Sequence, residues 1–194
     1  MGGKAGARSM SRCWNMQNPD NMINYKEKLG PIRAFVFDFD GVMTDGSVWT
    51  YGDGETVRCG NIKDGFAIQY AVKKGYTVAV ISGATSKSID NRMASLGVEQ
   101  CYTGCGDKIK TFNDFLKKNN LREEEVLCMG DDLPDYPLLK RAGVSTCPAD
   151  AAVEIREMCD YISIHPGGRG CVRDVIEQVL RLHGKWFHED AVIW

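Results

Sequence analysis

The feature that most constrains the fold is an alternation, beginning near Ile32, of continuous apolar runs with segments of helical periodicity. Runs such as "RAFVFDF", "YTVAVISG" and "EEVLCMGDD" are typical of strands buried on both faces. The segments between them, such as "DGFAIQYAVKKG" and "DKIKTFNDFLKKNN", have apolar residues at helical spacing. This order predicts a doubly wound α/β fold, in which helices cover both faces of a parallel sheet.

The alternation continues to the end of the domain with one interruption. Weaker strand and helix units follow in "SKSIDNRMASLG", "EQCYTG", "LPDYPLLKRAG", "VSTCP", "ADAAVEIREM", "DYISIH" and "CVRDVIEQVLRL". Residues 47–60, "SVWTYGDGETVRCG", have two short β-type runs around Gly-Asp-Gly and predict a β-hairpin insertion. We therefore expect one domain at 32–183, a polar and flexible extension at 1–31 and a tail at 184–194.

Composition excludes several classes of partner. A net charge of -2 and a pI near 5.9 give no basic surplus for nucleic acid or anionic lipid. No stretch approaches the length of a membrane span, and the N-terminus has no apolar signal region. The eight cysteines are scattered without a CxxC pair, so we expect reduced thiols in a cytoplasmic protein.

Polar residues follow three of the apolar strands, where parallel α/β sheets bind ligands. In chain order they are Asp38, Asp40, Ser82, Gly83, Asp131, Asp132 and, slightly later, Asp135. Carboxylates that converge in a small volume repel one another unless a cation lies among them. Oxygen ligands suit Mg²⁺, which completes its coordination with water and substrate phosphate.

A lysine at the start of the third helix, Lys108, could neutralise a phosphoryl oxygen in the same place. Ser82 can donate a hydrogen bond to another phosphoryl oxygen. Asp38 could then attack phosphorus, while Asp40 protonates the leaving alkoxide and later deprotonates a water molecule. These residue types predict phosphoryl transfer through an aspartyl-phosphate.

Four motifs, "DFDGVMTDG", "ISG", Lys108 and "GDDLPD", resemble in order and spacing those of the haloacid dehalogenase superfamily of phosphatases. Within it the chain is most similar to cap-less sugar-acid phosphatases over roughly Ile32 to Leu182. The resemblance implies that Asp38 is the nucleophile and Asp40 the general acid/base, with Ser82 and Lys108 as stabilisers of phosphate and charge.

The same resemblance implies the metal ligands. Asp131 would supply a carboxylate to Mg²⁺, Asp38 would bind through its second oxygen, and Asp40 would bind through its backbone carbonyl. Asp132 and Asp135 would hydrogen-bond to the groups that bind the ion, or would bind it through a water molecule.

The resemblance also implies a substrate, the phosphomonoester of a 2-keto-3-deoxy sugar acid. The first expectation is 3-deoxy-D-manno-octulosonate (KDO) 8-phosphate, a precursor in lipopolysaccharide synthesis. Many relatives have Arg or Gly where this chain has Ala84, so the 9-phosphates of the nonulosonic acids KDN and N-acetylneuraminate remain an alternative. Lys63, Gly83 and Arg169 are the expected substrate contacts, although exposed positions without a role are alternatives for Lys63 and Arg169.

No cap domain fits this sequence, since the hairpin, one helix and one strand fill the segment from Asp40 to Ser82 and only a short loop precedes Lys108. An uncovered site excludes water poorly. Similar cap-less enzymes cover the site with a neighbouring subunit, so we expect a homotetramer with intersubunit contacts from "SVWTY" and "TVRC".

Four questions stay open at this point. A receiver-type signalling domain also has acidic residues, Ser/Thr and Lys around an aspartyl-phosphate, but its phosphorylated aspartate lies on a middle strand. An inert homologue would retain the fold without the reaction. The tail, with Trp186, Phe187 and Trp194, either packs on its own domain or docks on a neighbouring subunit. Asp45 is either a turn former or a residue near the substrate.

Overall fold

The computed structural model describes residues 24–52, 54 and 56–192. The strands are β1 (Ala34–Phe37), β2 (Trp49–Thr50), β3 (Thr56–Val57), β4 (Thr77–Ile81), β5 (Gln100–Tyr102), β6 (Val126–Met129), β7 (Val144–Cys147) and β8 (Tyr161–Ile162). The α-helices are α1 (Ile62–Lys73), α2 (Lys87–Ser95), α3 (Lys108–Asn119), α4 (Tyr136–Leu139), α5 (Val153–Met158) and α6 (Cys171–Leu182). Short 3₁₀ helices span Glu27–Leu29, Glu123–Glu125, Leu133–Asp135 and Glu189–Val192.

Six strands form one parallel sheet in the order β5-β4-β1-β6-β7-β8, with β1 between β4 and β6. All four residues of β1 are buried, because successive side chains enter different cores. Phe35 and Phe37 belong to the core beneath α1, α2 and α6, whereas Ala34 and Val36 belong to the core beneath α3, α4 and α5. The predicted doubly wound α/β fold is confirmed.

The helix that carries Lys108 begins at a fixed point near the carboxyl edge of the sheet. Asp107 precedes α3 in extended conformation, and its side chain accepts a hydrogen bond of 3.0 Å from the Lys110 backbone N–H. Such a cap satisfies one of the free donors of the first helical turn. Lys108 is therefore the first residue of α3 and faces the ends of β1 and β6.

The predicted hairpin lies between β1 and α1. β2 and β3 pair antiparallel, with Trp49 opposite Val57 and Thr50 opposite Thr56. An antiparallel bridge between Thr44 and Gly60 closes its base. In the described part of the chain no cap domain accompanies the sheet, as expected.

Both ends of the described chain pack on the domain. Tyr25 stacks on Tyr161 and donates a hydrogen bond of 2.6 Å to Gln178, while Leu29 is buried in the core. At the other end Trp186 contacts the rings of Phe66 and Tyr70 edge-on. The greater part of the expected extension, residues 1–23, and Trp194 of the tail lie outside the described residues. None of the described helices is long and apolar enough to cross a bilayer.

Candidate active site

The carboxyl end of β1 holds a buried ion cluster. The Lys108 ammonium lies 2.9 Å from Oδ1 of Asp38 and 2.6 Å from Oδ1 of Asp135. Lys108 is only 9% exposed. Burial lowers the pKa of Lys108, but the two carboxylates outweigh it and raise that pKa overall. The lysine is thus a fixed positive charge beside the predicted nucleophile.

Asp135 organises this cluster with both of its oxygens. Oδ1 accepts from Lys108, and Oδ2 accepts from the backbone N–H of Asp131 at 3.1 Å. The neighbouring Asp132 is exposed, and its carboxylate caps the 3₁₀ helix by accepting from the Leu133 N–H at 2.8 Å. Asp135 therefore holds Lys108 and the loop after β6 in place, whereas the Asp132 carboxylate caps the 3₁₀ helix.

Glycine at position 41 allows a carboxylate to approach the first motif. Its φ is +83°, and a Cβ there would lie 2.1 Å from Oδ2 of Asp131. Gly130 has the same function on the other side, since its Cβ would lie 2.4 Å from that of Asp135. The two glycines let Asp131 and Asp135 come close to the end of β1.

Three carboxylates converge at this point. Asp38, Asp131 and Asp135 each offer an oxygen, and the three oxygens lie within 4.8 Å of one another. Burial, and then the neighbouring carboxylates, raise the pKa of Asp38 to about 6 and that of Asp131 to about 7. Oδ1 of Asp38 is buried, and the Lys108 ammonium is its partner at 2.9 Å. Three converging carboxylates form an all-oxygen set, which fits a hard divalent cation such as Mg²⁺.

An open cavity of about 360 Å³ lies over these residues. It is lined by Asp38, Asp40, Gly41, Gly46, Ser82, Gly83, Ala84, Lys108, Asp131, Asp132, Pro134 and Asp135. Ser82 is buried at the end of β4, and its Oγ accepts a hydrogen bond of 3.2 Å from the Ala84 N–H. Its hydroxyl hydrogen is consequently left to donate toward an anion in the cavity.

The carboxylate of Asp40 pairs with a residue that the sequence did not single out. Nε of Arg58, just after β3, donates to Oδ1 of Asp40 at 2.5 Å. The only signal in the sequence is a basic residue at the end of the hairpin, and the sequence does not show that the hairpin folds back over the first motif.

Lys63 and Arg169 lie outside the cavity lining, on two segments that contact each other. Lys63 is exposed in the first turn of α1, two residues after Asn61, whose side-chain amide donates to the Gly168 carbonyl at 3.1 Å. The exposed Arg169 guanidinium lies 3.3 Å from Asp45. Neither cation lines the cavity, and their contact with substrate stays a prediction.

The fold and this site define a class of protein, the haloacid dehalogenase-like hydrolases. A family model with that description matches residues 102–172. The KDO 8-phosphate phosphatase KdsC of Salmonella typhimurium is 36% identical over 182 residues, 94% of each chain. KdsC of Yersinia pestis is 32% identical over 159 residues, 82% of this chain and 85% of that one. The chain belongs to the KDO 8-phosphate phosphatase family of haloacid dehalogenase-like hydrolases.

Solved structures agree with this assignment. The KDO 8-phosphate phosphatase of Yersinia pestis has a TM-score of 0.82 and 31% identity, and the match covers 84% of this chain and 88% of that chain. The Moraxella catarrhalis enzyme, solved with a magnesium ion, a phosphate ion and KDO, has a TM-score of 0.78 and 29% identity over 80% of this chain and 90% of that chain. The predicted family and enzyme class, a phosphoric monoester hydrolase, are confirmed.

Proposed function

We propose that this chain is a Mg²⁺-dependent phosphatase that hydrolyses the phosphomonoester of a 2-keto-3-deoxy sugar acid through an aspartyl-phosphate. The observation that carries the proposal is the convergence of Asp38, Asp131, Asp135 and Lys108 at the end of the central strand. Burial of four charged groups in one cluster lowers the stability of the fold, so stability does not explain the cluster. The same groups supply the nucleophile and the charge compensation that transfer of a phosphoryl group requires.

In the first half of the reaction a carboxylate oxygen of Asp38 attacks phosphorus and forms an acyl phosphate. The ester P–O bond breaks, and Asp40 gives its proton to the departing alkoxide. Lys108 and the Ser82 hydroxyl compensate the charge on the non-bridging oxygens. Lys108 needs no reorganisation for this role, because Asp135 already holds it beside Asp38.

In the second half water attacks the phosphorus of the aspartyl-phosphate. Asp40, now ionised, accepts a proton from that water, and the P–O bond to Asp38 breaks to release inorganic phosphate. Asp38 and Asp40 return to their starting protonation states. One carboxylate thus serves as acid and then as base without a further residue.

Asp38 and Asp131 would hold Mg²⁺ by carboxylate oxygens, with the backbone carbonyl of Asp40 as a third protein ligand. Asp132 lines the cavity and would act through water. When bound, the ion would neutralise charge on the phosphoryl group and on the converging carboxylates. Asp135 is a supporting residue, since Lys108 and the Asp131 N–H use both of its oxygens.

KDO 8-phosphate is the first candidate substrate. The relatives named above bear that name, and one was solved with KDO. The phosphate would occupy the cavity beside Ser82, Gly83 and Lys108, and the carboxylate end would extend out of the cavity toward Lys63 and Arg169. Ala84, a small residue in the cavity wall, leaves the 9-phosphates of KDN and N-acetylneuraminate as the second candidates.

A phosphate-release assay tests the proposal. KDO 8-phosphate, the two nonulosonic acid 9-phosphates and glucose 6-phosphate are compared, with Mg²⁺ or with a chelator. We expect Mg²⁺-dependent release, fastest from a sugar-acid phosphate, and its loss in Asp38→Asn. Asp114→Asn, on the exposed side of α3, is the matched control and should retain activity. Release from none of the esters would refute the enzyme, and activity of Asp38→Asn would refute the nucleophile.

We also propose a homotetramer in the cytoplasm. The described cysteines are free thiols, as expected in a reducing compartment. On the hairpin, Trp49 is 68% and Tyr51 58% exposed. Large apolar side chains grouped on a short insertion beside an open site support its use as a contact between subunits.

A further inference from the structure

The residue that joins the hairpin to the catalytic strand end is Arg58. Its Nε donates to Oδ1 of Asp40 at 2.5 Å, and its Nη1 donates to Oγ1 of Thr56 at 3.1 Å. The Arg58 side chain is 10% exposed, whereas that of Asp40 is 32% exposed. A buried guanidinium held from both sides differs from a solvated surface ion pair, which fixes little.

Asp40 needs such a partner to keep one orientation. Its side chain is partly exposed at the mouth of the cavity, and among the described residues Arg58 is its hydrogen-bond partner. The contact uses Oδ1 and leaves Oδ2 for exchange with a substrate oxygen. A planar guanidinium with directed N–H groups restricts a carboxylate more than a point charge does.

We propose that Arg58 is a positioning residue for Asp40, which aims the free oxygen of that carboxylate at the leaving oxygen of the substrate. The inference rests on the proposed function of Asp40 as acid/base. Misplacement of a catalytic group by a fraction of a bond length slows its reaction strongly. Loss of Arg58 should accordingly slow the step in which Asp40 supplies a proton and spare steps that need none.

The choice of leaving group distinguishes a reaction that needs a proton from Asp40 from one that does not. An alkyl phosphate such as a sugar phosphate expels a poor leaving group that needs a proton, whereas p-nitrophenyl phosphate expels a phenolate that needs little help. The constant kcat/KM includes only steps up to the departure of the leaving group in this sequence of reactions. For each ester the ratio of variant to wild type cancels differences in how the two esters bind.

The experiment compares wild type, Arg58→Ala, Arg58→Lys and Arg141→Gln on p-nitrophenyl phosphate and on the best sugar phosphate of the wild type. Arg141 pairs with Glu123 away from the cavity and is the matched control. We expect Arg58→Ala to lower kcat/KM about 10- to 100-fold on the sugar phosphate and less than about threefold on p-nitrophenyl phosphate. Arg58→Lys should recover part of the loss, because it keeps the charge without the planar N–H groups, and Arg141→Gln should match wild type.

Thermal unfolding of each variant shows whether it is folded. If Arg58→Ala does not fold, the comparison of the two esters is made with Arg58→Lys. An equal loss on both esters, no loss on either, or a lysine variant as slow as the alanine variant would overturn the inference. Wild type that hydrolyses neither ester would instead refute the proposed function. The two failures are therefore distinguishable.

Discussion

Asp38 and Asp131 are carboxyl groups in a place where ionisation is unfavourable without a cation. Burial, followed by the neighbouring carboxylates, raises the pKa of Asp38 to about 6 and that of Asp131 to about 7. These two groups therefore bind more protons in the folded than in the unfolded state between about pH 4 and pH 7, and their contribution to stability falls as pH rises through that window. A bound Mg²⁺ would offset this loss, because it favours the ionised forms.

Mg²⁺ should consequently stabilise the protein more at high pH than at low pH. We expect the difference in Tm between saturating MgCl₂ and EDTA to be large at about pH 8 and small at about pH 5. Scanning calorimetry or dye fluorescence measures it, with Asp131→Asn as a variant that should lose most of the difference. The same Mg²⁺ shift at both pH values, or an undiminished shift in Asp131→Asn, would contradict the assigned ligands.

Gly41 offers a second test at single-residue scale. Gly41 and Gly75 have nearly the same φ, +83° and +84°, but only at Gly41 would a Cβ collide with Asp131, whereas nothing lies within 4 Å at Gly75. Alanine at either position costs about 1 kcal/mol of backbone strain. We expect Gly75→Ala to retain activity and Gly41→Ala to lower kcat at least about tenfold, with weakened Mg²⁺ binding by calorimetry. Equal activity of the two variants would show that the approach of Asp131 is unimportant.

Among the elements, those with a local signature could be predicted from the sequence. The apolar run of β1 and the helix cap at Asp107 depend only on residues that are adjacent in sequence, and the glycines between β2 and β3 indicate the hairpin. Asp38, Ser82 and Asp131 follow predicted parallel strands. Their convergence could be predicted because the carboxyl ends of such strands lie at the same edge of the sheet.

Contacts between distant segments could not be predicted in this way. Arg58 meets Asp40 only because the hairpin folds back over the strand end, and its direction depends on tertiary packing. Likewise the use of both Asp135 oxygens follows from how the 3₁₀ helix lies beside α3. The contact between the start of α1 and the loop before α6, where the Asn61 amide donates to the Gly168 carbonyl, is another such case.

The C-terminal tail contacts the helix pair α1 and α6 through the ring of Trp186, and the Lys74–Asp190 ion pair is a further attachment. Trp186 contacts Phe66 and Tyr70, and the guanidinium of Arg173 lies 5.2 Å from its ring. We expect Trp186→Ala to lower the free energy of unfolding by about 2 kcal/mol, since the ring is only partly buried. Phe187, next to it and 79% exposed, is the matched control, and Phe187→Ala should change stability by less than about 0.5 kcal/mol. Urea unfolding measures both, and equal values would show that the tail is not attached through Trp186.

For the whole molecule, the absence of a cap from the described chain leaves the site dependent on what surrounds the hairpin. The hairpin has two residues in each strand, a size that is marginal on its own in water. In a single chain its base is held by the Thr44–Gly60 bridge and by the Arg58–Asp40 contact. Subunit contacts that fix the hairpin would therefore also fix Arg58, and Arg58 in turn would fix the side chain of Asp40.

Disruption of the subunit contacts through the hairpin should therefore lower both the molecular mass in solution and the catalytic activity. We expect light scattering on the eluting protein to give four chains of 21.6 kDa, about 86 kDa, for wild type. Trp49→Asp, which puts a charge into the proposed contact, should lower that mass and reduce kcat/KM on the sugar phosphate by about tenfold or more. Ile164→Asp alters a residue that is 78% exposed just beyond β8 and should leave both quantities unchanged. A fully active monomeric wild type would rule out the tetramer, and a Trp49→Asp protein of unchanged mass and activity would exclude the hairpin as the contact.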